Sequence, residues 1–195
     1  MTRSFIAVIL AGGQSSRMGQ DKAQLQRPDG DSQLEFTAKC ALQAGAQQVL
    51  ISGQSLVGYP ALPDLHPSAG PLAGIEAALD WLSRQGSDHP LVVLPCDLPY
   101  LTTAPVGELL TADCNSAFKD SYLPCLIKDT GTALTELRLQ LNSDEKASMR
   151  RFLQRISAQL SENTYPIELK NVNSESEWND FIHYFSENKN QNPKI

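Results

Sequence analysis

The chain has 195 residues, 41% of them hydrophobic and 19% charged, which suits one globular domain large enough to bury a core. A net charge of −6 and a pI near 5.0 argue against a broad nucleic-acid surface, because phosphate backbones are bound by clustered Lys and Arg. Any anionic ligand must therefore meet positive charge supplied locally. Cys40, Cys96, Cys114 and Cys125 form no Cys-x-x-Cys pair and suggest no disulfide framework, so they read as reduced thiols in a cytoplasmic protein. The apolar run behind Arg3, about six residues long, is shorter than the ~7–15 of a signal core, and no stretch approaches the ~18 of a membrane span.

In chain order, Phe5–Leu10 is short, β-branched and unbroken by polar residues, as expected of a strand buried on both faces of a parallel sheet. A glycine-rich loop follows, ending in Asp21-Lys22. Leu34, Ala38, Ala41 and Leu42 have helical spacing with Gly45 as a stop, and Val49–Ile51 makes a second strand. Between Gly58 and Gly70, Pro60, Pro63 and Pro67 predict an irregular segment. Pro71 suits the first turn of a helix striped by Leu72, Ile75, Ala78, Leu79 and Leu82, and Leu91–Leu94 is a third buried strand. Further strands are predicted near Ser116–Phe118, Leu123–Ile127 and Tyr165–Leu169. Helices are predicted near Thr132–Leu141, Ala147–Leu160 and Glu175–Phe185. The reading is an α/β domain over residues 1–186, with a polar, loosely ordered tail over 187–195.

Two features carry chemistry. In Leu10-Ala11-Gly12-Gly13-Gln14-Ser15-Ser16-Arg17-Met18-Gly19-Gln20-Asp21-Lys22, the glycines let backbone N–H groups approach a phosphate, and Arg17 and Lys22 add formal charge. The loop starts at the carboxyl end of a strand, where open α/β sheets bind ligands. It has neither the Gly-Lys-Ser/Thr ending of the Walker loop nor the dinucleotide spacing, which argues against a nicotinamide oxidoreductase. The second feature is Leu94-Pro95-Cys96-Asp97-Leu98-Pro99-Tyr100, which sets one carboxylate just after the third strand. A carboxylate there is costly without a cation or donors, and Mg²⁺ takes one or two protein carboxylates and completes its shell with water and phosphates. A turn-capping role for Asp97 is the plainer alternative.

The pattern Leu-Ala-Gly-Gly-x-Ser-x-Arg-Met-Gly-x-x-Lys strongly resembles the signature of the molybdenum cofactor guanylyltransferases. The resemblance extends to Cys96-Asp97-Leu98-Pro99-Tyr100, to Asp64 with Gly70-Pro71-Leu72-Ala73-Gly74, and to Asn171-Val172-Asn173-Ser174-Glu175-Ser176-Glu177. It implies a three-layer α/β/α sandwich, a Rossmann-like nucleotidyltransferase fold with a mostly parallel sheet. It also implies transfer of GMP from GTP to the phosphate of a molybdopterin-type acceptor with release of pyrophosphate. Under it, Leu10, Ala11, Gly12, Gly13, Lys22, Ser52, Asp64 and Asp97 bind nucleotide; Arg17, Lys22 and Asp97 are catalytic; and Asp97 and Asn173 approach Mg²⁺. Hand-over of the product implies contact with molybdenum-insertion chaperones or apo-molybdoenzymes.

Ser174 and Glu177 also have the spacing of a capping box, so the last motif has a structural reading beside the functional one. The chain departs from the family pattern where Ser52 replaces an asparagine and Leu123 replaces a polar residue before proline; Arg150 or Arg151 offers charge for an acceptor phosphate. The attacking phosphate is already an anion, so no strong general base is required, and His66, His89 and His183 receive no role. A cytidylyltransferase on the same cofactor and a noncatalytic GTP-binding sensor are the competing readings. Gly12 in place of the cytidylyltransferases' usual alanine leans toward the larger guanine.

Overall fold

Strand β1 (Phe5–Leu10) separates two cores, with Phe5, Ala7 and Ile9 in one and Ile6 and Val8 in the other. A strand covered on both faces needs apolar residues at every position, and the run therefore shows no polar alternation. The structure is a computed structural model describing residues 4–12, 22–66, 69–143 and 146–188. After β1, a 3₁₀ turn at Lys22–Gln24 leads to α1 (Gln33–Gln43), β2 (Ala46–Ser52), β3 (Ala61–Leu62), α2 (Pro71–Arg84) and β4 (Leu91–Pro95). Then come α3 (Thr103–Thr111), β5 (Ser116–Phe118), β6 (Cys125–Ile127), α4 (Thr130–Leu141), α5 (Met149–Arg155), β7 (Gln159–Ser161) and α6 (Glu175–Glu187).

The strand order is β3-β2-β1-β4-β6-β5-β7. β1 is parallel to β2 and β4, β2 is parallel to β3, and β7 is parallel to β5. β6 runs antiparallel to both β4 and β5, so it alone among the described strands is reversed. α1 and α3 cover one face of the sheet, and α2, α4 and α5 cover the other. The three-layer α/β/α architecture and mostly parallel sheet match the expectation from sequence. The chain leaves β1 toward β2 on one side and later returns to β4 on the other. β1 and β4 therefore flank the topological switch point, where such sheets bind ligands beyond the strands' carboxyl ends. The exits of β2 and β3, the β5–β6 hairpin and the end of β7 lie along the same edge.

Local chemistry explains the boundaries. The Ser32 hydroxyl accepts from the Glu35 N–H at 3.2 Å while the Glu35 carboxylate accepts from the Ser32 N–H at 2.7 Å, a capping box that starts α1. Gly45 ends that helix at φ 100°, a conformation open to glycine. Pro71 opens α2, as its fixed φ and missing N–H suit the first helical position.

Four expectations are corrected. The proline-rich segment contains the two-residue strand β3, because residues beyond Pro60 still pair with β2. The helix expected over 147–160 stops at Arg155; Ser157 adopts φ 52°, and residues 159–161 then pair with β5. Tyr165–Leu169 is a turn rather than a strand, closed by the Leu169 N–H donating to the Tyr165 carbonyl at 3.0 Å, with Pro166 lacking a ladder donor. α3 was not anticipated: its nine residues carry only three buried positions, Pro105, Val106 and Leu109, too short a stripe to stand out.

Candidate active site

Three predicted residues meet at the switch point. Lys22 Nζ donates to Asn173 Oδ1 at 2.6 Å and lies 3.8 Å from Asp97 Oδ2. Asn171 Nδ2 reaches the same Asp97 oxygen at 3.4 Å. Each partner is placed by a different element. The 3₁₀ turn presents Lys22, and the β4 exit presents Asp97, where the Cys96 N–H donates to the Leu10 carbonyl at 3.2 Å. The segment before α6 is pinned when the Val172 N–H donates to the Asp97 carbonyl at 3.0 Å. Backbone pairing thus delivers Asn171 to the Asp97 carboxylate and Asn173 to the Lys22 ammonium beside it.

Asp97 is electrostatically unusual. Burial pushes its carboxyl above the ordinary range, opposed by the nearby Lys22 ammonium and a backbone hydrogen bond. Its Oδ1 is buried with no hydrogen-bond partner among the described residues. A desolvated acceptor needs a cation or a donor. The unmatched oxygen therefore fits a divalent ion, for which the Asn173 amide oxygen, accepting here from Lys22, is a candidate neutral second ligand. Among the described residues no group of three or more His, Cys, Asp or Glu gathers as a metal cage. One carboxylate suits Mg²⁺, which takes most of its shell from water and phosphates.

A second cluster lies at the exits of β2 and β3. Ser52 Oγ donates to Asp64 Oδ1 at 2.9 Å. The space around Ser52 is closed by glycines: a Cβ at Gly74 would stand 2.4 Å from Ser52 Oγ and 2.6 Å from Leu10 Cδ2. Gly53, at φ 84°, lies so close to Gly12 that its Cβ would fall 2.2 Å from the Gly12 Cα. The contact thus requires glycine at position 53, whereas a Cβ on Gly12 would stand 3.1 Å from the Gly53 Cα, a tight approach rather than a collision. The Ala11 N–H donates to the Ser52 carbonyl at 2.9 Å, and Leu10 pairs with Ser52 and Pro95 in the sheet.

Gly13 and Arg17 lie outside the described residues. Arg150 is exposed on α5, and the Arg151 guanidinium donates to the Lys146 carbonyl at 3.2 Å. Leu123 packs on the α2-side core with Tyr122. His66 bonds the buried Glu76 at 2.6 Å, His89 meets Ser87 at 3.1 Å, and His183 sits 3.3 Å from Glu187. Asn171 and Gly53 belong to the site although neither was singled out from sequence. Asn171 stood inside a recognised motif, whereas Gly53 offered only a glycine after a strand.

Fold and site together define the class, a Rossmann-like α/β domain with the ligand edge of a nucleotidyltransferase. Residues 7–161 match the MobA-like NTP transferase domain, and the chain belongs to that family. It is 37% identical over 191 residues to a molybdenum cofactor guanylyltransferase of Xanthomonas euvesicatoria, covering 94% of this chain and 97% of that protein. The fold is similar to that of molybdopterin-guanine dinucleotide biosynthesis protein A from Archaeoglobus fulgidus, with a TM-score of 0.75, 18% identity and coverage of 94% and 100%. It is also similar to 2-C-methyl-D-erythritol 4-phosphate cytidylyltransferase from Thermus thermophilus, with a TM-score of 0.64, 14% identity and coverage of 92% and 98%.

Proposed function

We propose that the chain transfers GMP from GTP to the terminal phosphate of molybdenum-molybdopterin and releases pyrophosphate. The observation that carries this reading is the meeting of Lys22, Asp97 and Asn173 at the β1/β4 switch point, with Asp97 Oδ1 unsatisfied. The guanylyltransferase relatives support the choice of GTP and of the pterin acceptor.

In the reaction an acceptor phosphate oxygen attacks the α-phosphorus of GTP in line, a new P–O bond forms, and the bond to the β-phosphate oxygen breaks. Mg²⁺ held by Asp97 and Asn173 would supply charge neutralisation across the phosphoryl oxygens. Lys22 stabilises the departing pyrophosphate, with Arg17 as its proposed second cation. The Ala11 N–H already serves the Ser52 carbonyl, so the backbone donors proposed for the phosphate cradle are those from Gly12 onward. Asp64, held through one oxygen by Ser52, keeps its other oxygen to accept from the guanine N–H edge. Ser52 then acts on the base through Asp64, and Gly74 admits it by leaving no Cβ in its place. No residue need remove a proton, so catalysis consists of orientation and charge.

Pyrophosphate release tests the reading. Purified protein with Mg²⁺ and molybdenum-loaded molybdopterin should release pyrophosphate from GTP and not from CTP or ATP. Binding of GTP without release would show a sensor, and a preference for CTP would show the cytidylyl branch.

A further inference from the structure

Arg27 is only 5% exposed, and its guanidinium touches three separate parts of the chain. It donates to Gln33 Oε1 at 2.9 Å, to the Pro99 carbonyl at 2.9 Å, and through Nε to Asp29 at 3.1 Å. Its Cζ lies 3.4 Å from the Phe36 ring centroid and 4.9 Å from that of Phe181 on α6. An arginine stacked and forked in this way is held in one orientation that lysine's single ammonium does not reproduce.

The segments it joins carry the site. Lys22 precedes it on the same loop, Asp97 belongs to the turn that ends at Pro99, and Asn173 stands at the start of α6. Between them lies a small apolar cluster of Val172, Trp178 and Phe181, with Leu25 and Tyr100 packed against it. Burying a charge is a weak source of stability, since an apolar replacement of similar volume is often neutral or better. Asp29 and Asp31 oppose the desolvation of this one, which still outweighs them. Its bond to Pro99 and its stacking on α6 have a different consequence, because they hold the Asp97 turn and the Asn173 segment together.

We propose that Arg27 is a positioning residue that ties the Asp97 turn, the Lys22 loop and α6 into one geometry, and so sets the separations among Lys22, Asp97 and Asn173. The inference rests on the transferase reading above. Ser52 and Asp64 lie across β1 on the β2 side, so Arg27 acts on turnover and leaves recognition of the base alone.

Arg27→Met and Arg27→Lys, each in a Trp81→Phe background that leaves Trp178 as the single tryptophan, test this. Arg27→Met should lower kcat by about tenfold or more with the KM for GTP changed less than about twofold, as for an interaction made only in the transition state. Arg27→Lys should fall between that variant and the parent. Without any substrate, acrylamide quenching of Trp178 should at least roughly double in Arg27→Met, since α6 loses the side-chain clamp that adds to the Val172 bond in holding it to the Asp97 turn. Parental kcat in folded Arg27→Met, a rise in KM with kcat unchanged, or a lowered Tm with Trp178 still shielded would each overturn the proposal. If Arg27→Met does not fold, Arg27→Lys decides, and parental kcat with parental quenching refutes it. A parent protein that releases no pyrophosphate would instead bring down the transferase reading. The Trp178 measurement then decides alone whether Arg27 holds α6.

Discussion

Lys22 and Asp97 show how one pair of side chains can be adapted to a ligand at a cost to the free protein. Lys22→Ala should lower turnover roughly a hundredfold or more, the ~3–4 kcal/mol typical of a lost preorganised donor, while circular dichroism stays native. Asp97→Asn should abolish most activity yet stabilise the fold. Because burial raises the Asp97 pKa in the folded state, that state holds its proton more tightly than the unfolded chain, and stability is lost as pH rises through the raised value. Thermal melts without divalent ions should therefore give Asp97→Asn the higher Tm at pH 7. The difference should vanish below about pH 4, where the carboxyl is protonated in both states. Gly74→Ala belongs to the same scale: its methyl would displace Ser52 from Asp64 and raise the KM for GTP up to about tenfold, the size of one lost hydrogen bond.

At the level of elements, the site depends on how loops are anchored. α6 starts with a capping box in which the Glu177 carboxylate accepts from the N–H groups of Asn173 at 2.7 Å and Ser174 at 3.0 Å. Ser174→Ala should cost about 1 kcal/mol and a Tm shift of ~2–4 °C. It should also lower turnover, because the same cap orients the Asn173 backbone; a melt and a pyrophosphate assay on one preparation check both. Elements with a long apolar run or stripe, such as β1, β4 and α2, were legible from the residues. Those decided by tertiary pairing were not. Gln159–Ser161 continues a helical pattern and becomes strand β7 only because β5 offers an edge, while Ala61–Leu62 pairs with β2 beside a proline. The site was legible where chemistry is local, in Lys22 and Asp97. Arg27 and Gly53 were hidden, since a buried arginine and a glycine–glycine contact leave no sequence signal until distant loops meet.

For the whole molecule, the sheet joins both helical layers through β1 and β4, and the α6 cluster is tied to it by the Val172 bond to Asp97. We propose that these parts fold as one domain, which predicts one calorimetric unfolding transition. No helix among the described residues is long and apolar enough to cross a membrane. Cys40 and Cys125 are buried, with thiols pushed up to about 12, chiefly by desolvation, so both should stay unreactive toward mild alkylation of the native protein. The overall charge of −6 leaves anionic substrates dependent on local positive charge, which Lys22 supplies beside Asp97. The measurement that bears most directly on the account is pyrophosphate release with Mg²⁺, molybdenum-loaded molybdopterin and GTP, for the parent and Asp97→Ala side by side. The account predicts release with GTP alone and its loss in the variant; equal release by both proteins, or none from the parent, would contradict it.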